Sequence, residues 1–329
     1  MDTTKSPDSR VEISRALPNK GATANRVAEI IITVLASVFA THAVSAQMFD
    51  VPSAENGLVG KITVVRAHQE DTLSDIARAN FVGFNEIVHA NPRVDPWLPG
   101  EGTGVIVPTW HILPDTPQSG IVLNLPEMRI YYYPPPQNGK PAKVMTFPVS
   151  IGRMDWSTPL GLTRVTAKVV NPPWYPPASV RAEHAAEGDY LPAMVPPGPD
   201  NPLGEYAIQL GIPGYFIHGT NKPYGIGMRV THGCVRMYPE DIRLLFSEVP
   251  IGTPVRIVNQ PYKAGWNRGV LYFEAHPPLE KLDTGASRNL TPATRVVVDA
   301  TNRQSARVDW ERVTHAAVET RGVPVAISH

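Results

Sequence analysis

Apolar and polar positions alternate with different periods in different parts of the chain. Near the N-terminal end, Lys61-Ile62-Thr63-Val64-Val65 predicts a strand, and residues 72–79 predict a helix, with Thr72 as N-cap candidate and Leu73, Ile76 and Ala77 at helical spacing. A second short helix is expected over 84–89. Asn91-Pro92 ends it, Leu98-Pro99-Gly100 turns the chain, and 104–108 returns as a strand. Further on the texture changes to one strand after another, at 120–125, 128–133, 144–151, 161–170 and 206–210, with a hairpin turn at Pro134-Pro135-Pro136-Gln137-Asn138-Gly139. Residues 254–258 read as a closing strand with Val255 and Ile257 on one face. A single helix interrupts the series at 239–248: Pro239 stands near its first turn, Glu240 and Asp241 beside it, and Ile242, Leu245 and Phe246 at core-facing spacing. The predicted fold class is therefore mainly β, a β-sandwich or open barrel, preceded by a small α+β unit of βααβ order.

The remaining segments carry weaker patterns. Residues 30–40 are a mostly apolar run preceded by Arg26 and followed by Val44-Ser45-Ala46, which predicts an export signal over 1–46 with cleavage after Ala46. The run is short for a membrane span. Residues 47–60 read as a short linker and 109–119, spaced by prolines, as a second one. Residues 171–202 hold Pro172-Pro173-Trp174-Tyr175-Pro176-Pro177 and Val195-Pro196-Pro197-Gly198-Pro199; such a stiffened excursion suits either a wall over a substrate groove or a loop lying on its own domain. Residues 261–329 form a C-terminal extension of unknown role, with a helix-compatible stretch over 306–321 and no chemistry.

Composition narrows the function classes. The 329 residues hold 30 basic and 30 acidic side chains, a formal net charge of zero, so no basic excess is available to neutralise phosphates and nucleic acid is not expected as a partner. Thirty-five prolines disfavour a helix-rich architecture.

One cysteine, Cys234, is present in the whole chain, so it cannot form an internal disulfide. It lies in Thr231-His232-Gly233-Cys234, sixteen positions after the histidine of Ile217-His218-Gly219-Thr220. Attack by sulfur needs the thiolate, and either His218 or His232 is a candidate base. On an extended strand His232 and Cys234 project from one face; on a tight turn the amides around Gly233 converge instead on an oxyanion. Spacing alone leaves both open. An unpaired thiol in an oxidising compartment is a liability unless it is used, which favours the nucleophile.

His218-Gly219-Thr220 followed by Thr231-His232-Gly233-Cys234-Val235-Arg236-Met237 resembles the active-site signature of the L,D-transpeptidases that act on bacterial peptidoglycan, HG(T/S) and (S/T)HGC(V/I)(R/N). The likeness extends to 121–133, to Pro148-Val149-Ser150-Ile151-Gly152-Arg153 and to Thr158-Pro159-Leu160-Gly161, covers roughly 120–260, and is greatest to the periplasmic subgroup of Gram-negative bacteria. It implies acyl transfer without a cofactor: Cys234 as nucleophile, His218 as base, His232, Gly233, Gly219 and Thr231 as support of the oxyanion pocket and its loop, and Arg236 as a group that orients the loop or meets the donor carboxylate. The implied partners are peptidoglycan tetrapeptide stems and glycan strands, with an amine from a stem or a lipoprotein lysine as acceptor and water as competitor. Glu70-Asp71-Thr72-Leu73, Ile76-Ala77, Asn91-Pro92 and Leu98-Pro99-Gly100 resemble the glycan-binding LysM fold over 61–108, although Arg66-Ala67-His68-Gln69 departs from its usual run. Two rival readings use the same residues: a zinc hydrolase with His218, His232 and Cys234 as ligands, and an inactive wall-binding module.

Overall fold

The structure, a computed structural model, describes residues 47–52, 57–153, 156–279 and 289–329. The predicted export signal over 1–46 lies outside the described residues. Among those that are described, no helix is long and apolar enough to cross a membrane.

The first elements are β1 (Gln47–Asp50), β2 (Leu58–Arg66), α1 (Leu73–Ala79), α2 (Phe84–Ala90) and β3 (Gly104–Ile112). Thr72 caps α1 reciprocally: its hydroxyl oxygen accepts from the Asp75 amide at 3.2 Å, and the Asp75 carboxylate accepts from the Thr72 amide at 3.0 Å. β2 and β3 pair antiparallel from Leu58 opposite Ile112 to Arg66 opposite Gly104, and the two helices bury Leu73, Ile76, Ala77, Val82 and Ile87 against Val105 and Val107.

Both expected linkers are shorter than the sequence patterns imply. Within 47–60, β1 joins the large sheet beside residues 143–146 and β2 already begins at Leu58. Within 109–119, β3 runs on to Ile112, past Pro108. Proline is a poor stop signal here because a two-stranded ribbon leaves each strand one open side, where a missing amide costs no ladder bond.

The next strands are β4 (Gly120–Asn124), β5 (Arg129–Tyr133), β6 (Lys143–Gly152), β7 (Gly161–Val170), β8 (Tyr206–Leu210), β9 (Phe216–His218), β10 (Arg229–Thr231), β11 (Val235–Met237) and β12 (Pro254–Val258), with α3 (Ala178–Ala186) between β7 and β8 and α4 (Pro239–Glu248) after β11. Their sheet runs β1-β6-β11-β9-β8-β7-β12-β4-β5. Because β5 also pairs with β6, the path returns on itself, which leaves few strand edges open. Ile121, Leu123, Ile130, Phe147, Val149, Ile208, Ile217 and Val235 fill the core, and α4 adds Ile242 and Leu245. α4 occupies the residues expected from its spacing, follows β11 closely in the chain and packs against β8.

The C-terminal residues form a sheet of β13 (Tyr262–Asn267), β14 (Val270–Ala275) and β15 (Val325–Ala326) covered by α5 (Thr291–Arg303) and α6 (Trp310–Glu319). α6 falls in the helix-compatible stretch. The two strands of the hairpin were not expected, because buried Lys263 and Glu274 break their apolar alternation.

Those two residues belong to a buried polar junction between the βααβ unit, the large sheet and the C-terminal sheet. Lys263 Nζ lies 2.9 Å from Glu127 Oε1 and 2.9 Å from Glu274 Oε1, and donates to the Ile112 carbonyl at 2.7 Å. The Ile112 amide donates to Glu274 Oε2 at 2.6 Å, and the Tyr131 hydroxyl donates to Glu127. Alongside, Arg129 Nη2 reaches both oxygens of Glu86 at 2.7 Å. His111 is fully buried beside them, with Nδ1 3.6 Å from Glu127 Oε1, and burial holds its pKa well below the ordinary imidazole value.

Candidate active site

Strand register brings the signature together. β11 runs parallel to β9 with Val235 opposite Ile217 and Arg236 opposite His218, so Cys234 falls at the level of Phe216. Opposed residues of parallel strands point to the same side and alternate residues share a face, which puts Cys234, Arg236, Phe216 and His218 on one side of the sheet. All four line one cavity of about 270 Å³, together with Thr231, His232, Gly214, Leu203 and the aromatic Trp174 and Tyr175.

Of the two geometries left open for the Thr231–Cys234 tetrad, the chain adopts the turn. Gly233 has φ +100°, a conformation that a side chain rarely tolerates, and a Cβ built there comes within 2.9 Å of the Tyr215 ring. The turn is held from both ends: Thr231 Oγ1 donates to the Cys234 carbonyl at 2.5 Å, and Thr158 Oγ1 donates to the Gly233 carbonyl at 2.8 Å while accepting from the Gly152 amide at 3.2 Å.

Burial acts on both reactive groups. His218 is 4% exposed, and desolvation together with the nearby Arg236 charge brings its pKa down to about 4, against smaller upward effects of backbone hydrogen bonds to Gly219 and Leu203. Its Nδ1 lies 2.7 Å from the Gly219 carbonyl. A carbonyl oxygen only accepts, so in the neutral ring this contact places the proton on Nδ1. Burial also raises the Cys234 thiol, partly offset by a backbone hydrogen bond from Phe216 and by the Arg236 charge. Near neutral pH the resting pair is thus a thiol and an uncharged imidazole. Sγ lies 3.6 Å from the Gly214 carbonyl.

The YkuD family, an L,D-transpeptidase catalytic domain, matches residues 118–257. The probable L,D-transpeptidase YcfS of Escherichia coli (strain K12) is 40% identical over 303 residues, covering 90% of this chain and 92% of that protein. The chain belongs to the L,D-transpeptidase family. The probable L,D-transpeptidase ErfK/SrfK of the same strain is 38% identical over 308 residues, covering 91% of this chain and 96% of that protein, and its counterpart from Salmonella typhimurium is 39% identical over 298 residues, covering 88% and 93%.

Within this L,D-transpeptidase the proline-rich excursion forms a wall of the cavity, through Pro173, Trp174, Tyr175, Pro177, Val180 and Pro202. It also contains α3, which the density of prolines on either side concealed. Glu183 on α3 accepts from His232 Nε2 at 3.0 Å and pairs with Arg153, and these two partners hold its carboxyl below the ordinary range. The His232 ring also stands edge-on to Trp156 at 5.3 Å. Sequence reasoning missed Glu183 and Trp156, which precede His232 by 49 and 76 positions and carry no local signal. Among the described residues, His218, His232 and Cys234 do not gather as metal ligands; the three groups that do approach one another are His111, Glu127 and Glu274, where Lys263 already supplies the positive charge.

Proposed function

We propose that the protein is a peptidoglycan L,D-transpeptidase with Cys234 as nucleophile and His218 as base. The observation that carries the proposal is a thiol and a neutral imidazole lining one cavity, with the Gly219 carbonyl holding the imidazole proton on Nδ1. Cys234 Sγ attacks the carbonyl of the L-centre in the third residue of a tetrapeptide stem as its proton passes to His218 Nε2. The resulting oxyanion is met by backbone amides of the His232-Gly233-Cys234 turn. Collapse breaks the bond to the terminal D-alanine, whose nitrogen takes the proton from His218, and leaves a thioester. An acceptor amine then attacks that thioester, gives its proton to His218, and the thiol is regenerated. Because the resting sulfur is protonated, transfer to His218 has to accompany attack, which makes the neutral state of the imidazole a requirement.

Arg236, half-buried in the cavity wall with its charge acting on both groups, suits the donor carboxylate. The acceptor is a neighbouring stem amine or a lipoprotein lysine, and water competes as a hydrolytic route. Residues 61–108 are assigned to glycan binding as a LysM-like unit, residues 120–260 to catalysis, and the protein to the periplasm after export through 1–46. The deciding experiment is mass spectrometry after incubation with muropeptides. A thioester adduct on Cys234 with release of D-alanine is expected; turnover of the stem with no adduct and full activity in Cys234→Ala overturns the assignment.

A further inference from the structure

The βααβ unit lies directly on the segment that joins the two halves of the signature. The amide of Phe84 donates to the Ile226 carbonyl at 2.9 Å, the amide of Asn85 donates to the Gly227 carbonyl at 3.2 Å, and Ser74 Oγ donates to the Tyr224 carbonyl at 3.4 Å. Gly83 and Gly227 meet backbone to backbone: a Cβ at Gly83 would stand 2.8 Å from Gly227 Cα. On the other side of the signature, Arg78 grips Glu240 of α4 through two hydrogen bonds of 2.9 and 3.0 Å and lies over the ring of Tyr238, whose hydroxyl donates to the Val82 carbonyl at 3.4 Å. Cys234 stands between these two sets of contacts.

From Gly227 the path to the sulfur is short. The Met228 carbonyl accepts from the Ile151 amide at 3.2 Å and the Gly225 carbonyl from Ser150 Oγ at 2.6 Å, after which β10 pairs with Ile151 and Gly152 and delivers Thr231, whose hydroxyl holds the Cys234 carbonyl. Residues 219–231 have little regular structure of their own, a 3-10 turn at Pro223–Gly225 and the three residues of β10. A segment so poor in internal bonds takes its conformation from what it lies against.

We propose that Gly83, Phe84, Asn85 and Arg78 of the βααβ unit are positioning residues for the transfer reaction: they brace the segment between His218 and Cys234 and so set the geometry of the nucleophile. The proposal rests on the catalytic assignment made above. It gives the unit a role beyond tethering, since the braced element carries the tetrad, and a displacement of about 1 Å at a reacting group can cost a hundredfold in rate.

The test uses the full chain and a free tetrapeptide stem without sugar, so that affinity for glycan cannot contribute. Gly83 has an ordinary extended backbone (φ −85°, ψ 160°), so Gly83→Ala introduces only a wedge at Gly227. Its kcat/KM should fall between about tenfold and a hundredfold, carried by kcat rather than KM. The rate of Cys234 alkylation by iodoacetamide should change with it, while the melting transition remains cooperative. Ser74→Ala combined with Arg78→Gln should lower kcat/KM by about two- to fivefold, the size expected of a half-exposed ion pair. A folded Gly83→Ala protein with wild-type turnover and alkylation overturns the brace; if that variant does not fold, unchanged turnover of the double variant overturns it. A wild-type protein without activity on the stem would instead count against the catalytic assignment.

Discussion

Around Lys263 and around Cys234 the protein gives its buried ionisable groups different company. At the junction every carboxylate has a cation within hydrogen-bonding distance: Glu86 has Arg129, and Glu127 and Glu274 share Lys263. Desolvation is the largest single effect on Glu127 and pushes its carboxyl up, but Lys263, His276, His111 and the Tyr131 hydrogen bond together outweigh it and hold the carboxyl below the ordinary range. In the candidate cavity Cys234 and His218 have backbone neighbours and the charged companion Arg236, and desolvation dominates, so both are driven toward their uncharged forms. Buried charge that is paired holds elements together. Buried groups left unpaired remain available to a substrate.

The contrast can be broken most severely at the sulfur. Cys234→Ala is expected to lower transfer to background with no adduct in the mass spectrum, because the covalent route disappears. Its melting temperature should stay near that of the wild type, as a small, half-buried side chain replaced by a smaller one loses little packing. Next in size, His218→Ala should slow acylation by about a hundred- to ten-thousand-fold, measured by single-turnover thioester formation. His232→Ala, whose ring is engaged with Glu183 and Trp156, should slow it less and move the pH profile of thiol alkylation less; the opposite order would exchange the two roles.

At the junction the balance of effects should reverse. Lys263→Met leaves Glu127 and Glu274 buried without their cation and should cost about 3–5 kcal/mol, seen as a fall of roughly 10 °C in the melting transition. Turnover per folded molecule should change little. Loss of activity in the folded fraction, with stability unaltered, would erase the distinction between the two regions.

The smallest effect concerns pH. An unfolded imidazole takes up a proton below about 6.5, whereas folded His218 resists protonation until about 4. Unfolding therefore binds a proton in that window, so this contribution to stability is present above pH 6.5 and lost as pH falls toward 4. It amounts to at most about 3 kcal/mol. Asp241, whose buried carboxyl is pushed up to about 8, works the other way and loses stability as pH rises through the same range, so the measurement is urea unfolding of His218→Gln against wild type at each pH. A wild-type curve no steeper than that of the variant between pH 4 and 6.5 would show that His218 is not held neutral by the fold.

Much of the catalytic half was legible because its signals are local. The period-two runs became β4 to β8, and Pro239, Glu240, Asp241 and Ile242 marked the start of α4 where it occurs. What was misjudged depends on partners far along the chain. β1 is a strand only because residues 143–146 offer it an edge, and β13 and β14 bury Lys263 and Glu274 only because Glu127 and Ile112 receive them. Polar residues in a strand read as solvent-facing until their partners are known.

The sequence by itself determined the chemistry of the candidate site: one thiol, two histidines and an arginine at fixed spacing, with a glycine where the chain must turn. Tertiary structure decided that His218 is buried against the Gly219 carbonyl, that His232 is turned to Glu183, and that the first module lies against the segment between His218 and Cys234. Those outcomes rest on desolvation, on hydrogen bonds across 49 to 150 residues and on backbone contact at a pair of glycines, none of which has a signature in local spacing.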